Sequence, residues 1–290
     1  MSTTAPITEN VLTLSSGHRL RYAIRGAEGP IAVVFVHGWP DSWRSFEPVL
    51  DALAPTTSAV SVSLRGFGGS DAPPDGYTPD DFAADVHELV EHLDVTSALF
   101  VGHSMGTLVV QRLAASHPQN VAGLVLIGGL IQLPDDVFED VWSVVQDLTD
   151  PISEPFVRDF QSSTLAAPVP DRFFDQLVAE SLRAPAHVWR AAFAGIRTMP
   201  RDTTINAPTL LLWGDHDALV PRAEQDALLA AIPDAHLLVY SDAGHSPNWE
   251  QPERVAQDIE AFLRRHAPKG SMATGSPQRD LASTAGATEI

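Results

Sequence analysis

Gly102-His103-Ser104-Met105-Gly106 is the stretch that decides how this chain folds. It has the form G-x-S-x-G. An apolar run, Ala98-Leu99-Phe100-Val101, precedes it, and a helical pattern from Thr107 to Ala115 follows. The expected local structure is a strand, a sharp turn and a helix, with a serine at the tip. A serine hydroxyl is by itself a poor nucleophile. It needs a strained turn to expose its oxygen, a nearby base, and amides to hold the developing oxyanion. The two glycines leave room where a side chain would strike the neighbouring strand and helix.

Three further segments supply those parts in order. Ile31-Ala32-Val33-Val34-Phe35-Val36 has strand length and is apolar throughout, as a buried parallel strand would be. It ends in His37-Gly38-Trp39-Pro40, a loop expected at the same carboxyl edge of the sheet as Ser104. The amide of Trp39 is then one candidate oxyanion donor, and that of Met105, at a helix start, is the other. Such a donor contributes about 3–4 kcal/mol to the transition state. His37 is expected to brace the loop by hydrogen bonds rather than to move protons.

Thr209-Leu210-Leu211-Leu212-Trp213 is another apolar run, and Gly214-Asp215-His216-Asp217-Ala218-Leu219-Val220-Pro221 follows it. One aspartate there can orient a histidine and stabilise its cation, the other serving as a turn or cap residue. Asp217 is the expected acid because it lies deeper in the loop, and Asp215 is the fallback. Leu237-Leu238-Val239-Tyr240 then leads into Ser241-Asp242-Ala243-Gly244-His245-Ser246, which makes His245 the candidate base.

With these pieces the chain resembles the serine-type α/β-hydrolase family, in its esterase and cofactor-free haloperoxidase branch with a helical cap. The likeness runs over residues 8 to 266. It rests on His37 to Pro40, Arg65-Gly66-Phe67-Gly68-Gly69-Ser70, Gly102 to Gly106, Gly214 to Pro221, and Gly244-His245 with Glu250-Gln251-Pro252. The resemblance implies the chain order Ser104, Asp217, His245, each after its own strand. It implies acyl transfer to water, with Ser104 as nucleophile and no metal or organic cofactor. The implied substrate is a carboxylic ester or lactone. Many relatives carry an aspartate two residues before the Arg-Gly pair. Ser63 stands there, so buried Asp–His or Asp–Arg support is not expected from that position.

Epoxide hydrolases and haloalkane dehalogenases are also similar, and His37 to Trp43 is like the epoxide-hydrolase loop. Both classes use a carboxylate nucleophile, whereas position 104 is serine. Epoxide opening in that family also uses cap tyrosines. The tyrosines here are Tyr22, Tyr77 and Tyr240, all outside the expected cap. Other chemistries compatible with the resemblance are peroxide interception of the acyl-enzyme, C–C bond hydrolysis, a cofactor-free dioxygenase that needs only His245 and Asp217, and a ligand-binding receptor with a slow triad.

Composition narrows the field. The chain has 290 residues, 44% of them hydrophobic and 19% charged, and contains no cysteine. That excludes a disulfide framework and thiolate chemistry. A net charge of −19 opposes nucleic acid and anionic membranes and leaves a small, fairly apolar molecule as the expected partner. Met1 to Asn10 shows no signal-peptide pattern, and no apolar run reaches the ~20 residues of a membrane helix, so a cytoplasmic location is expected. His87-Glu88-Leu89-Val90-Glu91-His92 faintly echoes a metal motif, but its histidines are five apart rather than four, so a solvated helix face is expected.

Strand signals lie near 10–14, 19–25, 31–36, 59–64, 97–101, 122–128, 208–213 and 236–240. Helical patterns near 42–54, 79–93, 104–117, 222–231 and 252–265 alternate with the later ones. The expected fold is α/β: an eight-stranded, mostly parallel sheet with helices on both faces. Between 129 and 206 the alternation stops and four helices are expected, near 135–148, 154–163, 171–183 and 186–197, punctuated by prolines. The expected organisation is a core from 1–129 and 207–267, a helical cap at 130–206 over the site, and a disordered tail at 268–290. Two or three of Trp142, Phe156, Phe160, Phe173, Phe174, Trp189 and Phe193 should face the pocket.

Overall fold

The apolar runs become strands because both of their faces are covered. In β3 (Val33–Val36) every residue is buried. Alternate side chains point to opposite faces, so Val34 and Val36 join one hydrophobic core and Val33 and Phe35 the other. β5 (Ala98–His103) divides likewise, with Phe100 in the first core and Leu99 and Val101 in the second. Burial of each such side chain stabilises the fold by about 1.5–3 kcal/mol.

The computed structural model describes residues 5–26, 30–200 and 203–266. The expectation of a disordered tail at 268–290 lies outside them. The other strands are β1 (Ile7–Thr13), β2 (Arg19–Arg25), β4 (Ala59–Ser63), β6 (Val121–Ile127), β7 (Thr209–Gly214) and β8 (Ala235–Tyr240). The described residues form one eight-stranded sheet in the order β1-β2-β4-β3-β5-β6-β7-β8. β1–β2 and β2–β4 pair antiparallel, and every other neighbour is parallel. The loops leaving β3, β5, β7 and β8 therefore gather at one carboxyl edge.

α2 (Pro79–His92) and α3 (Met105–Ser116) pack on the first face, α1 (Glu47–Ala52) and α10 (Pro252–His266) on the second. α2 starts where a capping box forms between Thr78 and Asp81, with Pro79 in the first turn. α8 (Arg222–Ala231) lies between β7 and β8. Between β6 and β7 come α4 (Asp135–Val145), α5 (Glu154–Ser163), α6 (Asp171–Ser181) and α7 (Ala186–Gly195). Pro134, Pro170 and Pro185 occupy the N-cap positions of α4, α6 and α7, which is why prolines mark the breaks. Among the described residues no helix is long and apolar enough to cross a membrane.

Several boundaries differ from expectation by a few residues, and three differences are larger or have a visible cause. β1 begins at Ile7, because its first residues pair with β2 (Ile7 opposite Arg25) although Thr8 and Glu9 are exposed and carry no apolar alternation. The helix expected at 42–54 splits into a 3₁₀ turn, Trp43–Phe46, and α1, with Pro48 in the first turn of the latter. A short helix, α9 (Pro247–Glu250), precedes α10.

Candidate active site

Ser104 sits between the last residue of β5 and the first of α3 with φ 51° and ψ −120°. A non-glycine residue held there stores about 1–3 kcal/mol of strain. Bonds on both sides hold it: Ser104 N–H donates to the Ile127 carbonyl (2.9 Å), and Thr107 N–H donates to the Ser104 carbonyl (2.8 Å). The glycines are needed for close approach. A Cβ on Gly102 would lie 2.5 Å from the Gly106 carbonyl oxygen, and one on Gly106 only 2.2 Å from that of Val36.

The loops after β7 and β8 bring Asp217 and His245 together. His245 Nδ1–H donates to Asp217 Oδ2 at 2.8 Å. Oδ1 of Asp217 accepts from the amides of Leu219 (2.9 Å) and Val220 (2.8 Å). These bonds orient the carboxylate, and its side chain is fully buried. Asp215 instead accepts from the Asp242 amide at 2.9 Å, a turn role. With Nδ1 donating, Nε2 of neutral His245 is the acceptor. That atom is buried and has no hydrogen-bond partner among the described residues. Ser104 and His245 line the same pocket, but the link from Ser104 Oγ to Nε2 is not closed as a hydrogen bond.

Trp39 and Met105 line this pocket too. The Trp39 amide donates to no acceptor among the described residues. Met105 is the first residue of α3, where helix N–H groups lack intrahelical partners. His37 is a brace: Nδ1–H donates to the Gly38 carbonyl (2.7 Å), and Nε2 accepts from the Leu64 amide (3.0 Å). Complete burial lowers its pKa to about 4, so the ring is neutral. Support for Arg65 comes from Asp85 on α2, which accepts from both its Nε (2.6 Å) and Nη2. Ser63 uses its hydroxyl to accept from the Trp43 amide.

Residues of the inserted helices also line the pocket. Trp39 Nε1–H donates to the Trp189 carbonyl on α7 at 3.1 Å, and its ring meets Phe160, Trp189 and Phe193 at 4.8–4.9 Å between centroids. Of the seven aromatics expected in this region, Phe160 and Phe193 line the pocket. Trp189 is fully buried.

Sequence reasoning gave no role to three residues here. Asp41, 2% exposed, accepts from Gln161 Nε2 on α5 at 2.9 Å, and both line the pocket. Glu250 accepts from the amides of Ala166 (2.8 Å), Ala167 (2.7 Å) and Gly244 (2.7 Å), joining the α5–α6 connection to the loop that carries His245. The available signals were the likeness of the His37 to Trp43 loop for Asp41 and the Glu250-Gln251-Pro252 resemblance for Glu250. Neither names the partner.

The chain is similar to known proteins along most of its length. A model described as "Alpha/beta hydrolase family" matches residues 33–258. The chain is 29% identical over 275 residues to a non-heme chloroperoxidase of Streptomyces lividans, covering 87% of this chain and 99% of that one. It is 25% identical over 285 residues to epoxide hydrolase 3 of Xenopus tropicalis, covering 86% and 76%. Among solved structures, the esterase RhEst1 from Rhodococcus sp. superposes with a TM-score of 0.78 at 26% identity, covering 92% of this chain and all of that one.

Proposed function

Since the chain belongs to the alpha/beta hydrolase family, we propose that it is a serine hydrolase cleaving the carboxylic ester or lactone of a small, fairly apolar molecule. One observation carries the reading. Asp217 fixes His245 in the tautomer that leaves a bare Nε2 in the pocket where Ser104 sits on its strained turn. Serine–histidine contacts are commonly loose before substrate binds.

In this reading His245 Nε2 takes the Ser104 proton as Oγ attacks the ester carbonyl. Asp217 stabilises the imidazolium, and the Trp39 and Met105 amides hold the oxyanion. His245 then gives its proton to the leaving alcohol, and water, activated by the same nitrogen, releases the acid. Residues 130–206 act as a cap whose Phe160 and Phe193 shape the acyl or alcohol side. Epoxide chemistry is disfavoured because a serine stands at position 104 and no tyrosine is among the described pocket-lining residues.

The test is a panel of p-nitrophenyl esters and lactones with the native protein and Ser104→Ala. The native protein should turn over members of the panel and be labelled at Ser104 by an organophosphonate; Ser104→Ala should lose nearly all turnover. Retained turnover in the variant would remove the serine from the mechanism. The chloroperoxidase relative motivates a second reading, in which peroxide replaces water as the acyl acceptor. Halide oxidation that needs hydrogen peroxide, a carboxylic acid and Ser104 together would favour it.

A further inference from the structure

Asp41, His103 and Gln161 line the pocket together with Ser104, and each carries a hydrogen-bond acceptor that meets no donor among the described residues. The first is Asp41 Oδ2. Its sister Oδ1 accepts from Gln161 Nε2, but among the described residues Oδ2 accepts no hydrogen bond. The nearest ionisable partner is His103 Nδ1 at 3.8 Å, too far for a bond.

The second is that same His103 Nδ1. The other ring nitrogen, Nε2, faces the His245 carbonyl at 3.1 Å. A carbonyl only accepts, so Nε2 carries the proton and Nδ1 of the neutral ring is a lone pair. It is buried and unpartnered. Burial lowers the pKa of His103 despite the nearby carboxylate, which keeps the ring neutral.

The third is Gln161 Oε1. Gln161 places one end of its amide against Asp41 Oδ1 and Ser181 Oγ, each at 2.9 Å. The Ser181 hydroxyl proton is already committed to the Leu177 carbonyl at 2.8 Å, so its oxygen accepts. Both neighbours being acceptors, the NH₂ end must face them, and Oε1 is left without a donor.

Asp41 also lacks a cationic partner: no Lys or Arg among the described residues lies within ion-pair distance of it. A carboxylate 2% exposed with one hydrogen bond is poorly compensated. The aromatic wall of Trp39 and Phe160 suits a cation, and the net charge of −19 draws cations in.

We propose that Asp41, His103 and Gln161 form a donor-binding subsite, and that the substrate carries a protonated amine close to its scissile acyl group. That the ligand is a substrate rests on the esterase reading; binding at the subsite does not.

The test compares two near-isosteric esters, p-nitrophenyl 3-aminopropanoate and p-nitrophenyl butanoate. The readout is the ratio of their kcat/KM values, corrected by their rates with hydroxide. In Asp41→Asn that ratio should fall about 10-fold or more relative to the native protein, as loss of a charge-assisted bond predicts. An unchanged ratio would overturn the proposal, and so would a proton shared between Asp41 and His103, seen as an Asp41→Asn effect equal on both esters.

Should Asp41→Asn not fold, calorimetry on Ser104→Ala supplies the answer. n-Butylammonium should bind more tightly than n-butanol; equal binding would overturn the subsite. Failure of the esterase reading looks different. Neither ester would turn over and Ser104 would resist labelling, while the preference of Ser104→Ala for n-butylammonium would persist.

Discussion

Replacing Glu250 by alanine should damage turnover without touching any residue that lines the pocket. Its carboxylate accepts three backbone N–H groups, those of Ala166, Ala167 and Gly244, at 2.7–2.8 Å. Ala166 is exposed, so water can replace that bond. The other two are part-buried and lose a charged acceptor worth about 1.5–3 kcal/mol each. Allowing for partial rescue by water, the net cost is about 3 kcal/mol, or about 6 °C at roughly 2 °C per kcal/mol for a chain of this size. Gly244 adjoins His245, whose own amide donates to Thr164 at the end of α5 (2.8 Å). Loosening this seam lets the imidazole drift. A misplacement of about 1 Å costs about 10²-fold in rate, so kcat should fall by about 10–100-fold with a smaller change in KM. Glu250→Gln should be nearly as harmful, because its NH₂ would face a backbone N–H. Thermal unfolding and steady-state kinetics with a p-nitrophenyl ester provide the check, with Glu253→Ala on the exposed side of α10 as the control. A melting shift below about 1 °C with native kcat would refute the claim that Glu250 holds the His245 loop.

Asp217→Asn should lower kcat by about 10³–10⁴-fold. Its oxygen will stay with the Leu219 and Val220 amides, leaving the NH₂ to face His245 Nδ1 and force the wrong tautomer. Asp215→Asn should leave kcat within about threefold, and the paired rates decide between the two aspartates. Gly106→Ala should fail to fold or lose more than about 3 kcal/mol, since its Cβ would lie 2.2 Å from a backbone oxygen of β3; soluble yield and urea unfolding report this. His37 has a folded pKa of about 4, below the ordinary histidine value, so the unfolded chain takes up its proton first as pH falls. The native protein should therefore lose up to about 3 kcal/mol from this group between about pH 6.5 and pH 4, with no loss from it above that window. His37→Gln should be less stable at pH 7 but show a shallower decline, measured as urea midpoints at pH 7 and pH 4.5.

The strands were legible because burial on both faces writes itself as an uninterrupted apolar run, as in Val33 to Val36 and Leu210 to Leu212. The inserted helices were legible because proline at an N-cap is a local steric event, visible at Pro134, Pro170 and Pro185. The positions of Ser104, Asp217 and His245 could be read from chain order because each follows its own strand at one sheet edge. β1 shows the opposite case: Thr8 and Glu9 are in a strand only because β2 supplies hydrogen bonds, and no pattern in Ile7-Thr8-Glu9-Asn10 announces it.

What the sequence hid are pairings whose partners lie far along the chain. Gln161 meets Asp41 across 120 positions, and Glu250 meets Ala166 across 84. Periodicity reports which face of an element is apolar; it carries no information about which polar group on another element waits there. Ser63 and Arg65 make the point from the other side. Resemblance directed attention to position 63 as the missing carboxylate, yet the guanidinium needed only some carboxylate in reach, and Asp85 on α2 meets it at 2.6 Å. A buried charge demands a partner but does not dictate its address. The same reasoning bears on Asp41, whose carboxylate is as buried as that of Asp85 but has no arginine against it. The fold met this demand for Asp85 from within; for Asp41 the proposed substrate ammonium would meet it from outside, through the pocket that Ser104 shares.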